Sequence, residues 1–301
     1  MFAQTLDDPL DAISEAELAR LVRVADPLLA GRPLLSPGHR PTRARAGQGV
    51  EFLDHQEYAV GDDLRSIDWR ATARCRHPQI RRFRNERAAD WFVCLDRSAS
   101  MSFVNHSKWR LGVQLAASLS YLLLHLGNRV GLMLFSSDVD TLLPPGRGHF
   151  QYARVAAALR NSAPRASGGG SQLRRCSRKL APRTPVLVIS DFLAEDGMQT
   201  ALTGLLAAGR TVQALQVVDD AEVDLRSSGT LTLRDAESQA SMTLDLSDDG
   251  AASAAASLAR LQDDLATCCR SKGIPFTACQ TGDGWKKSVI RHLKHLGAGD
   301  A

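Results

Sequence analysis

The apolar residues of this chain follow two rhythms. From residue 91 onward, short runs that are apolar at consecutive positions alternate with longer segments whose apolar residues return every three or four positions. WFVCLD (91–96), RVGLMLF (129–135), PVLVISD (185–191), TVQALQVV (211–218) and IPFTACQ (274–280) are of the first kind and are predicted strands. Segments 108–127, 149–162, 173–181, 198–209, 252–273 and 285–297 are of the second kind and are predicted helices. DVDTLL (138–143) is expected to follow the second strand as an edge or hairpin partner. Strands apolar on both faces, separated by helices, predict an α/β fold with a mostly parallel sheet flanked by helices.

Two regions depart from this alternation. Residues 7–31 have helical spacing and Gly31 as a stop, and a Pro-, Gly- and Arg-rich connection follows at 32–49. Residues 223–247 carry period-two runs around Ser-Gly and Glu-Ser turns, which predicts a β-hairpin inserted after the 211–218 strand. The expected organisation is an N-terminal extension, 1–90, packed on a main α/β domain, 91–301, that carries the hairpin.

Composition narrows the setting. With 301 residues, 44% hydrophobic and 23% charged, the chain can bury a sizeable core. No apolar run reaches membrane-spanning length, and the most apolar helix, 111–127, carries Gln114, Ser118, Ser120 and His125. No membrane span is expected. The acidic start lacks the pattern of a secretory signal, so a cytoplasmic location is expected. The six cysteines form no C-x-x-C and are expected reduced and mostly buried, with adjacent Cys268 and Cys269 packing. Net charge is a mild +4. Eight arginines face two acids between Arg65 and Arg87, but few aromatics interleave them and no nucleic-acid module is present, so no nucleic-acid partner is expected.

The candidate chemistry lies at strand ends, where open parallel sheets gather their binding groups. Asp96, Ser98 and Ser100 follow one strand, Asp191 ends another, and Ser171 closes the loop SGGGS (167–171). Two carboxylates and three hydroxyls suit Mg²⁺ or Mn²⁺ and leave a coordination position for an acidic residue of a partner. A plainer reading makes Asp96 a helix cap and Asp191 a turn former. The hydroxyls and the second strand-end acid together favour the cation. His292 and His295 stand three apart on the last helix with no further ligands, and are expected on its surface.

LDRSAS resembles the D-x-S-x-S signature of von Willebrand factor A-like domains. In that family the remaining ligands are a Thr in a Gly-containing loop and an Asp ending a later strand, positions matched here by Ser171 and Asp191. The upstream stretch YAVGDDLRSIDWRATAR resembles the Y-x-x-G-D-D-x-R-x-I-D-W-x-x-x-A-R block of a MoxR-associated bacterial family, domain of unknown function fifty-eight. The matching residues are Tyr58, Gly61, Asp62, Asp63, Arg65, Ile67, Asp68, Trp69, Ala73 and Arg74. The likeness spans roughly residues 45–295 and departs at Gln56, where that family usually has Arg. It implies a Rossmann-like von Willebrand A fold, a bound Mg or Mn, and a MoxR-type AAA+ ATPase as partner in assembling or activating a client complex. Within the block, Arg65, Arg70 and Arg74 alternate with Asp62, Asp63 and Asp68. Either a structural ion-pair lattice or a partner-docking surface would use that pattern.

Signs of catalysis are sparse. There is no phosphate-cradling G-x-x-x-x-G-K-[ST], Ser98 occupies the place of a phosphatase's second Asp, and no nucleophile elbow is formed. A non-enzymatic interaction module is therefore expected. The alternative is a Mg²⁺-dependent phosphate-ester hydrolase using Asp96 and Asp191.

Overall fold

The computed structural model describes residues 8–29, 51–59, 64, 67–75, 77–84, 89–165, 172–193, 197–223, 229–234, 241–246 and 248–298. The chain divides into two units, one formed by Met1–Arg32 with Asp90–Ala301, the other by Pro33–Ala89. The first helix, α1 (Glu15–Leu29), thus belongs with the sheet that follows much later. It starts well after residue 7 because Ser14 and Glu17 form a capping box. Glu17 N donates to Ser14 Oγ at 3.3 Å, and Ser14 N donates to Glu17 Oε2 at 3.1 Å.

In the smaller unit, β1 (Glu51–Glu57) pairs antiparallel with β2 (Gln79–Arg84), with a bulge between Phe52 and Asp54. The single turn α2 (Trp69–Thr72) lies between them. Asp68 caps it, its Oδ1 accepting the main-chain N–H groups of Arg70 at 3.0 Å and Ala71 at 3.2 Å. Ile67 bridges to Ile80, and both are buried.

The larger unit continues with β3 (Asp90–Asp96), a 3₁₀ turn (Ala99–Ser102), α3 (Phe103–His125), β4 (Arg129–Phe135), β5 (Val139–Gly146) and α4 (Gly148–Arg160). Then come α5 (Leu173–Ser177), β6 (Val186–Ser190), α6 (Met198–Ala207), β7 (Val212–Val218) and α7 (Asp220–Val223). The chain closes with β8 (Gly229–Arg234), β9 (Ser241–Leu246), α8 (Asp248–Ser271), β10 (Phe276–Gln280) and α9 (Gly284–Ala298). Six strands form one sheet in the order β10-β7-β6-β3-β4-β5. All its pairings are parallel except that of β5, whose short connection from β4 can only reverse the chain. Pro144 and Pro145 sit in β5, as an edge position allows. The inserted segment forms the expected hairpin, β8 antiparallel to β9, as a sheet of its own.

Helices cover both faces of the sheet because its strands are buried on both. Phe92 and Cys94 of β3 face Leu173, Met198, Leu202 and Cys269 from α5, α6 and α8. On the other side, Leu95 approaches α3 at Gly112, where an added Cβ would stand 3.0 Å from Leu95 Cδ1. Helices α1, α4 and α9 complete that second layer. Among the described residues, no helix is long and apolar enough to cross a membrane. No cysteine is paired, and Cys94, Cys176, Cys269 and Cys279 are buried.

One expectation is corrected. His292 is 0% exposed and belongs to the core, because Trp285, Val289, Leu293 and Leu296 put their shared helical face against the sheet. Its ring lies 3.0 Å from Thr277 Oγ1 through Nδ1 and 3.1 Å from Gln213 Oε1 through Nε2. His295 is exposed, and its Nδ1 also reaches Thr277 Oγ1.

Candidate functional site at the strand ends

The sheet order fixes where a site belongs. Winding runs from β3 outward to β4 and β5, then returns across β3 to place β6 and β7 on its other side. The reversal falls between β3 and β6, and the crevice beyond their carboxyl ends is the ligand position of open α/β sheets. Asp96 is the last residue of β3, and Asp191 directly follows β6.

Asp96 is 0% exposed, with both carboxylate oxygens occupied. Oδ1 accepts the Ser98 N–H at 2.9 Å, and Oδ2 accepts the Ser190 hydroxyl at 2.6 Å. The first bond is an Asx turn that bends the chain out of the strand. It brings Ser98 Oγ to 3.0 Å from Ser100 Oγ. Asp96 therefore shapes the turn and does not cap α3, whose N-cap is Ser102 without a side-chain bond.

Asp191 is 2% exposed. Its Oδ1 accepts the Leu193 N–H at 3.2 Å, and its Oδ2 accepts from Lys108 Nζ at 2.9 Å. The intervening Phe192 has φ of 58°, left-handed backbone that an aromatic L-residue adopts only under constraint. Ser190 supplies part of that constraint, since its Oγ accepts the Phe192 N–H at 3.0 Å while donating to Asp96.

Lys108, at 1% exposure, also donates to Glu222 Oε1 at 2.6 Å. It thereby joins the start of α3 to the ends of β6 and β7. The neighbouring Ser107 hydroxyl donates to Asp219, the residue after β7, whose Oδ1 accepts the Ala221 N–H at 2.8 Å. Gln216 Nε2 donates to the Asp191 carbonyl at 3.2 Å.

Burial pushes the Asp96 carboxyl up to about 6, and the charge of Asp191 adds to the rise against the hydrogen bonds of Ser190 and Ser98. Burial works against the charge of Lys108 too, but Asp191 and Glu222 hold its ammonium above the ordinary lysine range.

Four of the five expected ligands are described, and Ser171 lies outside the described residues. The residue after it, Gln172, ties its N–H to the Ser136 carbonyl at the end of β4, at 2.8 Å. Among the described residues, no three His, Cys, Asp or Glu side chains gather closely enough to hold a metal. A cation at this edge would therefore draw on at most two carboxylates among the described residues, with hydroxyls and water completing its shell. The serine pair suits that task, because ligand bonds of about 2.1 Å at right angles place adjacent oxygens about 3.0 Å apart.

Sequence reasoning passed over Ser190, Lys108, Asp219 and Glu222. Asp219 had the same signal as Asp96 and Asp191, an acid directly after an apolar strand. In the smaller unit, Asp62, Asp63 and Arg65 lie outside the described residues. Tyr58 donates its N–H to the Pro78 carbonyl at 2.8 Å, and Trp69 is 70% exposed. Arg70 and Arg74 are exposed, while Asp68 Oδ2 lies 3.1 Å from His55 Nε2.

The chain resembles several proteins. It is 32% identical over 260 residues to the "Uncharacterized protein Rv1480" of Mycobacterium tuberculosis, which covers 82% of this chain and 80% of that protein. "Uncharacterized protein Mb1516" of Mycobacterium bovis matches to the same extent, 32% over 260 residues. Among solved structures, the conserved hypothetical protein BatB from Bacteroides thetaiotaomicron is 19% identical, with a TM-score of 0.44 over 70% of this chain and 100% of that one. The pattern of the family "Protein of unknown function DUF58" matches residues 54–264, and the chain belongs to that family.

Proposed function

We propose that this protein is a von Willebrand A-like interaction module that captures an acidic side chain of a partner through a divalent cation, Mg²⁺ or Mn²⁺. The observation that carries the reading is the hydroxyl pair, Ser98 Oγ and Ser100 Oγ 3.0 Å apart, beside the buried carboxylate of Asp96. These three residues fit a small, hard, octahedral cation. Asp191 adds a second carboxylate across the crevice, and Ser171 holds the sequence position of the remaining hydroxyl. The bound cation would supply a positive charge with a coordination position for the partner's Asp or Glu. The chain's own residues fix the oxygens and exclude bulk water from Asp96.

The same features support a binding role over catalysis. Both oxygens of Asp96 accept hydrogen bonds, which suits a fixed ligand. The resemblance of the LDRSAS and GDD-R-IDW segments to MoxR-associated proteins supports a MoxR-type AAA+ ATPase as the partner, with this chain an adaptor toward a client complex. Exposed Trp69 gives the smaller unit an apolar contact residue for such docking.

Co-precipitation with the purified MoxR-type ATPase of the same bacterium tests this reading. Capture in Mg²⁺, abolished by chelator and by Asp96→Ala, is the expected result. Capture unchanged by chelator would overturn it.

A further inference from the structure

Lys108 is an unusual residue to bury. It stands in the first turns of α3, 1% exposed, with its ammonium 2.9 Å from Asp191 Oδ2 and 2.6 Å from Glu222 Oε1. Isolated charges are expelled from protein interiors, so burial on this scale requires that each be paired and held. The three groups come from α3, the end of β6 and α7, and each is anchored by main chain or by another of the three. Asp191 Oδ1 takes the Leu193 N–H, and Glu222 Oε2 takes the Asp219 N–H at 3.2 Å. The Asp191 carboxylate is thus gripped at both oxygens, and the lysine that grips Oδ2 also donates to Glu222.

We propose that Lys108 is a positioning residue for the cation site, fixing the Asp191 carboxylate toward the β3–β6 crevice, and that Glu222 in turn orients Lys108. The inference rests on the cation reading given above. A small octahedral cation tolerates little misplacement of its oxygens, so a carboxylate that can rotate is a poor partner for it. Removing groups that orient a metal's ligands typically weakens binding by about 10- to 100-fold. The opposite role for a buried ammonium beside a ligand carboxylate is that of a resident rival, satisfying Asp191 in the cation's place. The two roles differ in sign. Loss of a positioning lysine weakens cation binding, whereas loss of a rival strengthens it.

Calorimetric titration of Mg²⁺ into wild type, Lys108→Met and Glu222→Gln decides between them, with thermal melts of each protein with and without Mg²⁺ beside it. Lys108→Met is expected to weaken binding at least tenfold and to lose the Mg²⁺-dependent rise in Tm. Glu222→Gln keeps a hydrogen-bond acceptor at a partly exposed position and is expected to fold as wild type does. It therefore carries the test if Lys108→Met does not fold, again with affinity down about tenfold. Affinity equal to or tighter than wild type in either variant would overturn the inference while leaving the cation site standing. No binding to wild type, with or without acetate as a stand-in for the partner's carboxylate, would remove both.

Discussion

Ser190 and Asp96 lie 94 residues apart in sequence and 2.6 Å apart in space, hydroxyl donating to carboxylate across two parallel strands. The same Ser190 oxygen accepts the Phe192 N–H and so helps hold the left-handed turn that presents Asp191. One side chain therefore serves both acids of the crevice. Ser190→Ala is expected to cost about 1–3 kcal/mol, the range for leaving buried polar groups unpaired. It should also push Asp96 further up and weaken Mg²⁺ binding at neutral pH. Urea denaturation and metal titration of this variant measure the two effects separately.

The folded protein holds Asp96 up to about 6, above the value of an unfolded aspartate. A raised acid stabilises the fold at low pH, and that contribution is lost as pH rises through about 6. A rise of this size corresponds to a loss on the order of 3 kcal/mol between pH 4 and pH 7 in the absence of metal. Mg²⁺ should restore it, because the cation stabilises the ionised form and its binding releases the proton. Denaturation at pH 4 and 7.5, in chelator and in Mg²⁺, measures this. Asp96→Asn should flatten both dependences.

His292 works in the opposite sense. Burial, with a smaller effect from His295, pushes its imidazole down to about 3. The ring is neutral in the fold, and its contribution is complete above about pH 6.5 and lost as pH falls below it, about 1.4 kcal/mol for each unit. In an NMR titration from pH 8 to pH 5, the ring resonances of His292 should stay those of the neutral form. Titration near pH 6.5 would contradict its burial.

Gly131 in β4 has no room for a side chain. An added Cβ would lie 2.7 Å from Phe92 Cε1 and 2.8 Å from the Leu143 main-chain oxygen. Phe92 can move but the paired backbone of β5 cannot without loss of register. Gly131→Ala is expected to destabilise by about 1–3 kcal/mol, measurable by urea denaturation, with metal affinity unchanged.

Most of the sheet was legible because its central strands are buried on both faces and therefore read as unbroken apolar runs. The acids that end β3 and β6 were legible for a related reason, since a carboxylate directly after such a run has to leave the core at the strand's carboxyl edge. The start of α1 was not, because two residues, Ser14 and Glu17, decide it against the hydrophobic periodicity of 7–31. Ser190 was hidden by its position inside a strand, where spacing gives its face but not which strand lies beside it. Lys108 reads along the helix as an ordinary solvated charge. Only the placement of the α3 start over the ends of β6 and β7 buries it against Asp191 and Glu222. His292 was misplaced because a polar residue was assigned to the exposed side of α9 when the core-facing stripe includes it.

Calorimetric titration of Mg²⁺ into the purified full chain tests the cation site most directly, with Asp96→Ala and Ser100→Ala alongside and the series repeated in acetate as a stand-in for the partner's carboxylate. The account requires binding to wild type, tighter in acetate, and no binding to Asp96→Ala. Ser100→Ala, a change at a partly buried hydroxyl, should fold normally and bind more weakly. Absence of binding to wild type with and without acetate, or equal binding to all three proteins, would contradict it and leave Asp96 as a polar turn at the end of β3.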